Sequence, residues 1–112
     1  TGGKTIIFEG FLSPKSGRRK NRVKELLLTG SAFVLYESPF RIVKLLNDIA
    51  DIDSTRSVVV GRELTKLHEE ITSGTAQELC DDYSSRQSIK GEFAVFISGV
   101  KKLKNSDKST DN

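Results

Sequence analysis

The 112-residue chain has one cysteine, one histidine, two prolines, and neither methionine nor tryptophan. A single cysteine, Cys80, excludes an internal disulfide and suits a reducing compartment. With His68 as the only histidine, too few conventional ligands exist for a zinc site, and no metal is expected. Nothing in the sequence orients the His68 imidazole toward Cys80, which argues against a thiol nucleophile. The segment "TAQELCDDYSS" instead places Cys80 beside Leu79 on a helix, as a packed thiol. No apolar run approaches the ~20 residues that cross a bilayer. The opening "TGGKTIIFEG" has neither an initiator methionine nor the apolar core of a signal peptide. These absences predict a cytoplasmic chain without membrane contact, and read as a fragment or a processed product.

Several phosphate and hydrolase signatures are missing as well. "TGGK" is half of a phosphate-binding loop, without the strand before it or the spacer inside it. There is no G-x-S-x-G elbow and no H-E-x-x-H pair. The net charge of +3 and pI near 9.1 permit an acidic partner without requiring one.

What is present is a regular alternation of strand and helix patterns. "KTIIFEGFL" is strand-like, "SPKSGRRKN" is a basic loop, and "RVKELLLTG" is a helix beginning near Ser16–Arg19 and stopped by Gly30. "AFVLYE" is a short strand. In "SPFRIVKLLNDIADI", Ser38 reads as an N-cap and Pro39 as the first helical residue, with Ile42, Leu45, Leu46 and Ile49 on one face. The unbroken valines of "RSVVVGREL" predict an interior strand buried on both faces. "HEEITSG" returns as a strand, and Thr75 with Glu78 has the spacing of a capping box. "GEFAVFISG" closes the series as a central strand. The order β-α-β-α-β-β-α-β predicts an α/β (α+β) single domain: a mixed sheet of about five strands flanked by about three helices. Residues 1–100 form that unit, and residues 101–112 read as a polar tail.

Two charged stretches stand out. "SPKSGRRKNRVK" carries Lys15, Arg18, Arg19, Lys20, Arg22 and Lys24. Cations at a helix N-terminus oppose its dipole, so their placement points to phosphate contact rather than to stability. No aromatic is interleaved, which argues against base stacking. The second stretch, "GRELTKLHEE", follows the valine strand and holds Arg62, Glu63, Lys66, His68, Glu69 and Glu70. Local ion pairing could satisfy all of these charges, yet charged loops at sheet ends are where function concentrates.

Taken together, "FEGFLSPKSGRRKNRVKEL", "FVLYESPFRI", "VVVGRELTKLHEEITSGTAQEL" and "KGEFAVFISG" resemble the C-terminal lobe of the bacterial ribosomal RNA small-subunit methyltransferase I family, of the tetrapyrrole methylase fold. The resemblance covers roughly Lys4 to Gly99. It implies an S-adenosylmethionine-dependent enzyme that methylates the 2′-hydroxyl of a cytidine in small-subunit ribosomal RNA. It implies two α/β lobes with the cofactor between them, commonly as a homodimer. The glycine-rich segments of the N-terminal lobe are not in this sequence, so the isolated chain is expected to be inactive.

On this resemblance, the cofactor would be bordered by Tyr36, Glu37 and Ser38, by Leu64 and Thr65, and by Ser98 and Gly99. RNA contacts fall to Lys15, Arg18, Arg19, Lys20, Arg41, Arg62 and Lys66. A general base would come from His68 or Glu69, or equally from the missing N-terminal lobe. Phe40 stands where the family motif "YESPHR" has histidine, which argues against a catalytic use of that position. From the residues alone, a free-standing nucleic-acid-binding module and a structural or dimerisation domain remain open alternatives.

Overall fold

A computed structural model describes residues 5–65 and 68–100, apart from the side chains of Leu64 and Thr65. The expected tail, residues 101–112, and the candidate RNA contact Lys66 lie outside the described residues.

The element order matches the sequence pattern: β1 (Ile6–Phe11), α1 (Ser16–Leu28), β2 (Ala32–Glu37), α2 (Ile42–Asp53), β3 (Ser57–Thr65), β4 (His68–Thr75), α3 (Ala76–Ser84) and β5 (Glu92–Ile97). The five strands form one sheet in the order β1-β2-β5-β3-β4. β1 and β2 are parallel, while β5 runs antiparallel to both β2 and β3 and so lies at the centre of the sheet. β3 and β4 form a long antiparallel hairpin.

The core lies on one side of the sheet. Opposed residues in neighbouring strands share a face, so the register defines rows across it. Phe33, Ile97 and Val58 form one buried row, and Leu35, Val95 and Val60 the next. Over these rows pack Val23, Leu26 and Leu27 of α1, Ile42, Leu45, Leu46 and Ile49 of α2, and Leu79, Cys80 and Tyr83 of α3. The apolar stripe of α2 is therefore fully used: all four of its predicted residues have no exposed surface. Cys80 is a buried core thiol, as its helical position predicted.

The opposite face is open. Phe8 is 65% exposed and Ile71 73% exposed, and Val59 is only partly buried. The expectation of burial on both faces of β3 therefore fails. The valine run is continuous because Val59 faces a different surface from Val58 and Val60, and no helix among the described residues covers that surface.

Both capping predictions can be checked. Thr75 caps α3 with the full capping box: its hydroxyl accepts from the Glu78 amide at 3.1 Å, and the Glu78 carboxylate accepts from the Thr75 amide at 2.9 Å. Ser38 does not cap α2. That helix starts at Ile42, and residues 38–41 form a turn closed by the Arg41 amide donating to the Ser38 carbonyl at 3.1 Å. The Ser38 amide instead donates to the Glu37 carboxylate at 2.9 Å. The chain turns at 38–41 before the helix begins, so Pro39 sits in the turn rather than the helix.

Candidate functional site

β2 and β3 both run antiparallel to β5, so their C-terminal ends meet the start of β5 at one edge of the sheet. Glu37, Phe93, Arg62 and Glu70 form a row on the helix-covered face there. Tyr36, Ala94, Gly61 and Ile71 form the adjacent row on the open face, and Glu92, Glu63 and Glu69 a further row beyond it.

Two neighbouring depressions occupy this edge. The larger, of about 540 Å³, is lined by Phe11, Tyr36, Glu37, Ser38, Pro39, Gly91, Glu92 and Phe93. The smaller, of about 300 Å³, lies over Gly61 and Ala94 between Tyr36 and Ile71, with Glu63, Glu69 and Glu92 at its rim. Tyr36, Glu92 and Phe93 belong to both. Such volumes fall within or near the ~300–1,000 Å³ usual for small-molecule sites.

Glu37 organises the larger depression. Its carboxylate is almost fully buried and accepts from the Ser38 amide and, at 3.2 Å, from Arg41 Nε. The Ser38 hydroxyl is buried without a hydrogen-bond partner. An orphaned hydroxyl of this kind costs about 1–3 kcal/mol unless something satisfies it, and that need marks a place for a ligand. Opposite, Gly91 adopts φ +103°, and a Cβ there would lie 2.6 Å from the Glu63 carbonyl oxygen. Only glycine lets the chain enter β5 so close to β3.

The three glutamates of the outer row stand directly opposite one another across β5, β3 and β4. Like charges so placed are destabilising, so fold stability does not explain them.

Within the second charged stretch, Arg62 and Glu70 are paired, although Arg62 Nε is buried without a hydrogen-bond partner. Glu70 receives Arg62 Nη2 at 2.8 Å and Arg86 Nη1 at 3.0 Å, and Arg86 also bonds Asp82 and lies 4.0 Å from the centre of the Tyr83 ring. These contacts hold the Glu70 carboxyl below its ordinary 4.5, with the Arg86 hydrogen bond the main cause. The same network raises Arg86, through Asp82 first. Arg62 also donates to the Lys90 carbonyl at 3.3 Å, tying the loop before β5 to β3.

The predicted site residues divide accordingly. Tyr36, Glu37 and Ser38 lie together at the larger depression. Leu64 and Thr65 end β3 at the same edge, and their side chains are outside the described set. Ser98 and Gly99 do not join them. They follow β5 at the opposite edge of the sheet, where the Ser98 amide donates to the Ser57 carbonyl and the Ser98 carbonyl accepts from Arg56. A Cβ on Gly99 would come within 2.8 Å of the Gly30 carbonyl oxygen, so that glycine is explained by close packing. The antiparallel direction of β5 is the reason: its start, not its end, reaches the cleft. Gly91, Glu92 and Phe93 are thus cleft residues that the sequence reading missed.

Of the cations, Lys15 and Arg18 are exposed at the start of α1. The basic stretch is not a loop throughout, since α1 begins at Ser16. Arg19 is 4% exposed and bonded to Asp48 at 2.7 Å, so it faces the protein interior rather than the surface. Lys20 is exposed and paired with Asp51, and Arg22 is held by Glu9 and Glu25. Arg41 is 39% exposed in its side chain beyond its contact with Glu37. Arg62 is committed to Glu70. His68 and Glu69 are exposed at the start of β4, and Glu69 borders the smaller depression. Among the described residues, no cluster of histidine, cysteine, aspartate and glutamate could hold a metal ion.

No protein-family model matches the chain. Curated relatives do. The chain is 41% identical over 96 residues to the Borrelia garinii "Ribosomal RNA small subunit methyltransferase I", a match covering 85% of this chain and 43% of that protein. The chain is a relative of the ribosomal RNA small subunit methyltransferase I proteins.

The protein of that name from Thermotoga maritima is 37% identical over 97 residues, covering 87% of this chain and 43% of its own length. The Synechocystis protein is 38% identical over 96 residues, covering 85% and 34%. The chain thus spans less than half the length of these relatives, and corresponds to their C-terminal part. Among solved structures, a cobalt precorrin-4 methyltransferase of cobalamin biosynthesis superposes with a TM-score of 0.57 at 17% identity, covering 84% of this chain and 40% of that one. The methyltransferase CobJ gives 0.59 at 14% identity, covering 83% and 41%. At such identities these structures show the shared fold alone. No helix among the described residues is long and apolar enough to cross a membrane.

Proposed function

We propose that the chain is the C-terminal lobe of an S-adenosylmethionine-dependent methyltransferase acting on small-subunit ribosomal RNA, at the 2′-hydroxyl of a cytidine. The observation that carries this reading is the 41% identity, over 85% of the chain, to a protein named for that class of activity.

The larger depression fits one side of such a cofactor. Phe11, Tyr36, Pro39 and Phe93 offer apolar and aromatic surface for an adenine. Glu37 and Glu92 offer acceptors for hydroxyl or ammonium groups, and the buried Ser38 hydroxyl gains the partner it lacks. When bound, the cofactor would supply a methyl group on a positively charged sulfur. Carboxylates around the cleft favour such a cation, and partial enclosure strengthens that preference. Ser98 and Gly99, at the far edge, have no part in this reading.

The ribose hydroxyl must lose a proton as it is methylated. On this reading Glu69, exposed and lining the smaller depression, would accept it, with His68 as the neighbouring candidate. Lys15 and Arg18 would hold RNA phosphates, with Arg41 nearer the cleft. Half of the cleft wall would come from an N-terminal lobe, so this chain alone is inactive on this reading.

The test is methyl transfer to small-subunit ribosomal RNA from a radiolabelled donor. The chain is assayed alone and after substitution for the corresponding part of the Borrelia relative. Transfer only by the two-lobe protein is expected. Transfer by the isolated chain, or an inactive chimaera that folds and binds the donor, would sink the proposal.

A further inference from the structure

Phe40 is the most exposed large apolar side chain among the described residues, at 87%. A ring so open makes little packing contact, so fold stability does not explain it. Single exposed apolar residues are ordinary on protein surfaces, but the setting of this one is not.

The ring stands on a rigid support. Residues 38–41 are closed by the Arg41 amide donating to the Ser38 carbonyl at 3.1 Å. Pro39 fixes φ just before the ring. The Glu37 carboxylate accepts from the Ser38 amide at 2.9 Å and from Arg41 Nε at 3.2 Å. The backbone under Phe40 is therefore ordered before any ligand arrives, which lowers the cost of binding there. The turn also borders the cleft: Ser38 and Pro39 line the larger depression, and Phe40 is the next residue. The surroundings are cationic. Arg41 keeps 39% side-chain exposure beyond its contact with Glu37, Lys44 is exposed, and no acidic residue stands in the first turn of α2.

We infer that Phe40 is a stacking platform for an unpaired base of the substrate RNA, with Arg41 and Lys44 taking the phosphates beside that base. The inference rests on the RNA reading above and adds to it a contact with a base. The cations of α1 have no aromatic among them and so hold backbone alone, whereas Phe40 supplies a flat face on which any exposed base can stack. A base held there fixes the strand at the mouth of the cleft and orients a neighbouring ribose toward it. A membrane or an apolar protein surface would need a contiguous patch, yet Phe40 is followed by a cation and then by Ile42, which is fully buried. A lone ring beside cations matches a nucleotide, which is itself a flat ring joined to an anion.

The chain contains no tryptophan, so Phe40→Trp places a single fluorescent reporter at this position. The probe is a single-stranded oligocytidylate of about ten nucleotides, within the usual span of such sites. Stacking should quench the reporter, and inorganic polyphosphate, which has charge but no base, should not. Phe40→Leu keeps an apolar side chain and loses the flat face. It should weaken binding at least about fivefold, the low end for removal of a stacking aromatic, and leave the salt slope unchanged. Phe40→Tyr and Phe40→His keep a flat ring and should keep most of the affinity. Because Phe40 lies outside the core, these variants should fold like the parent. Equal affinity for Phe40→Leu and the parent, or equal quenching by polyphosphate, would overturn the inference and leave the RNA reading standing. A parent chain that binds no RNA would remove the RNA reading itself, and the inference with it.

Discussion

Arg19 donates to Asp48 at 2.7 Å across the α1–α2 contact, with side chains only 4% and 9% exposed. Two charges share a space that water barely reaches. Removing one leaves the other buried and uncompensated. Asp48→Ala should therefore cost about 3–5 kcal/mol, while a paired replacement by apolar residues, Arg19→Met with Asp48→Leu, should be far milder. Urea unfolding of the two variants checks the contrast. Equal losses would show that the pair acts only by filling space.

The capping box at the start of α3 gives a second, smaller prediction. Thr75→Ala removes the acceptor for the Glu78 amide and should lower stability by about 1 kcal/mol. Thr75→Ser should keep most of it. Thermal unfolding distinguishes them, and identical melting temperatures for all three proteins would contradict the capping role.

Acid should expose the Glu70 network. Its folded-state pKa lies below the ordinary 4.5, so its ion pairs contribute in full above that value and fade as the pH falls through the lowered one. Glu70→Gln should be less stable than the parent at pH 7, and the gap should close in acid. A gap that is constant or widens at low pH would show that charge is not the source.

The division among the cations predicts unequal effects on RNA binding. Lys15→Ala and Arg18→Ala should each weaken binding and flatten its salt dependence by about one unit of slope, as loss of a phosphate contact does. Arg19→Met should leave both unchanged in a protein that still folds, because Arg19 faces Asp48. Filter binding at two salt concentrations reads this. A salt slope that drops for Arg19→Met and not for Arg18→Ala would reverse the assignment.

Which features were legible in the sequence follows from how far apart the interacting residues lie. Thr75 and Glu78 are three apart, and their pattern translated directly into a cap. The helical stripe of α2 and the central position of the "GEFAVFISG" strand were legible from periodicity. Ser38 misled because residues 38–41 close as a turn and the helix begins only at Ile42. Arg19 looked like its basic neighbours because the aspartate that buries it is 29 residues away. Ser98 and Gly99 were assigned to the cleft by resemblance, whereas in open α/β sheets it is the ends of parallel strands that form the usual ligand edge. That rule holds for the parallel pair β2 and β3, and the antiparallel β5 inverts it. Gly91 and Glu92 could have been found only by knowing that direction.

The central position of β5 also governs the order in which the protein can assemble. Among the described residues, β1–β2 and β3–β4 are joined in the sheet only through it, and it is the last of the described strands. During synthesis the two half-sheets emerge first and must wait with unpaired edges. Only when Ile97 has left the ribosome can the final strand slide between them and join both at once. A chain truncated before Glu92 would hold most of the core residues and none of the closure, and such open-edged species are those that aggregate.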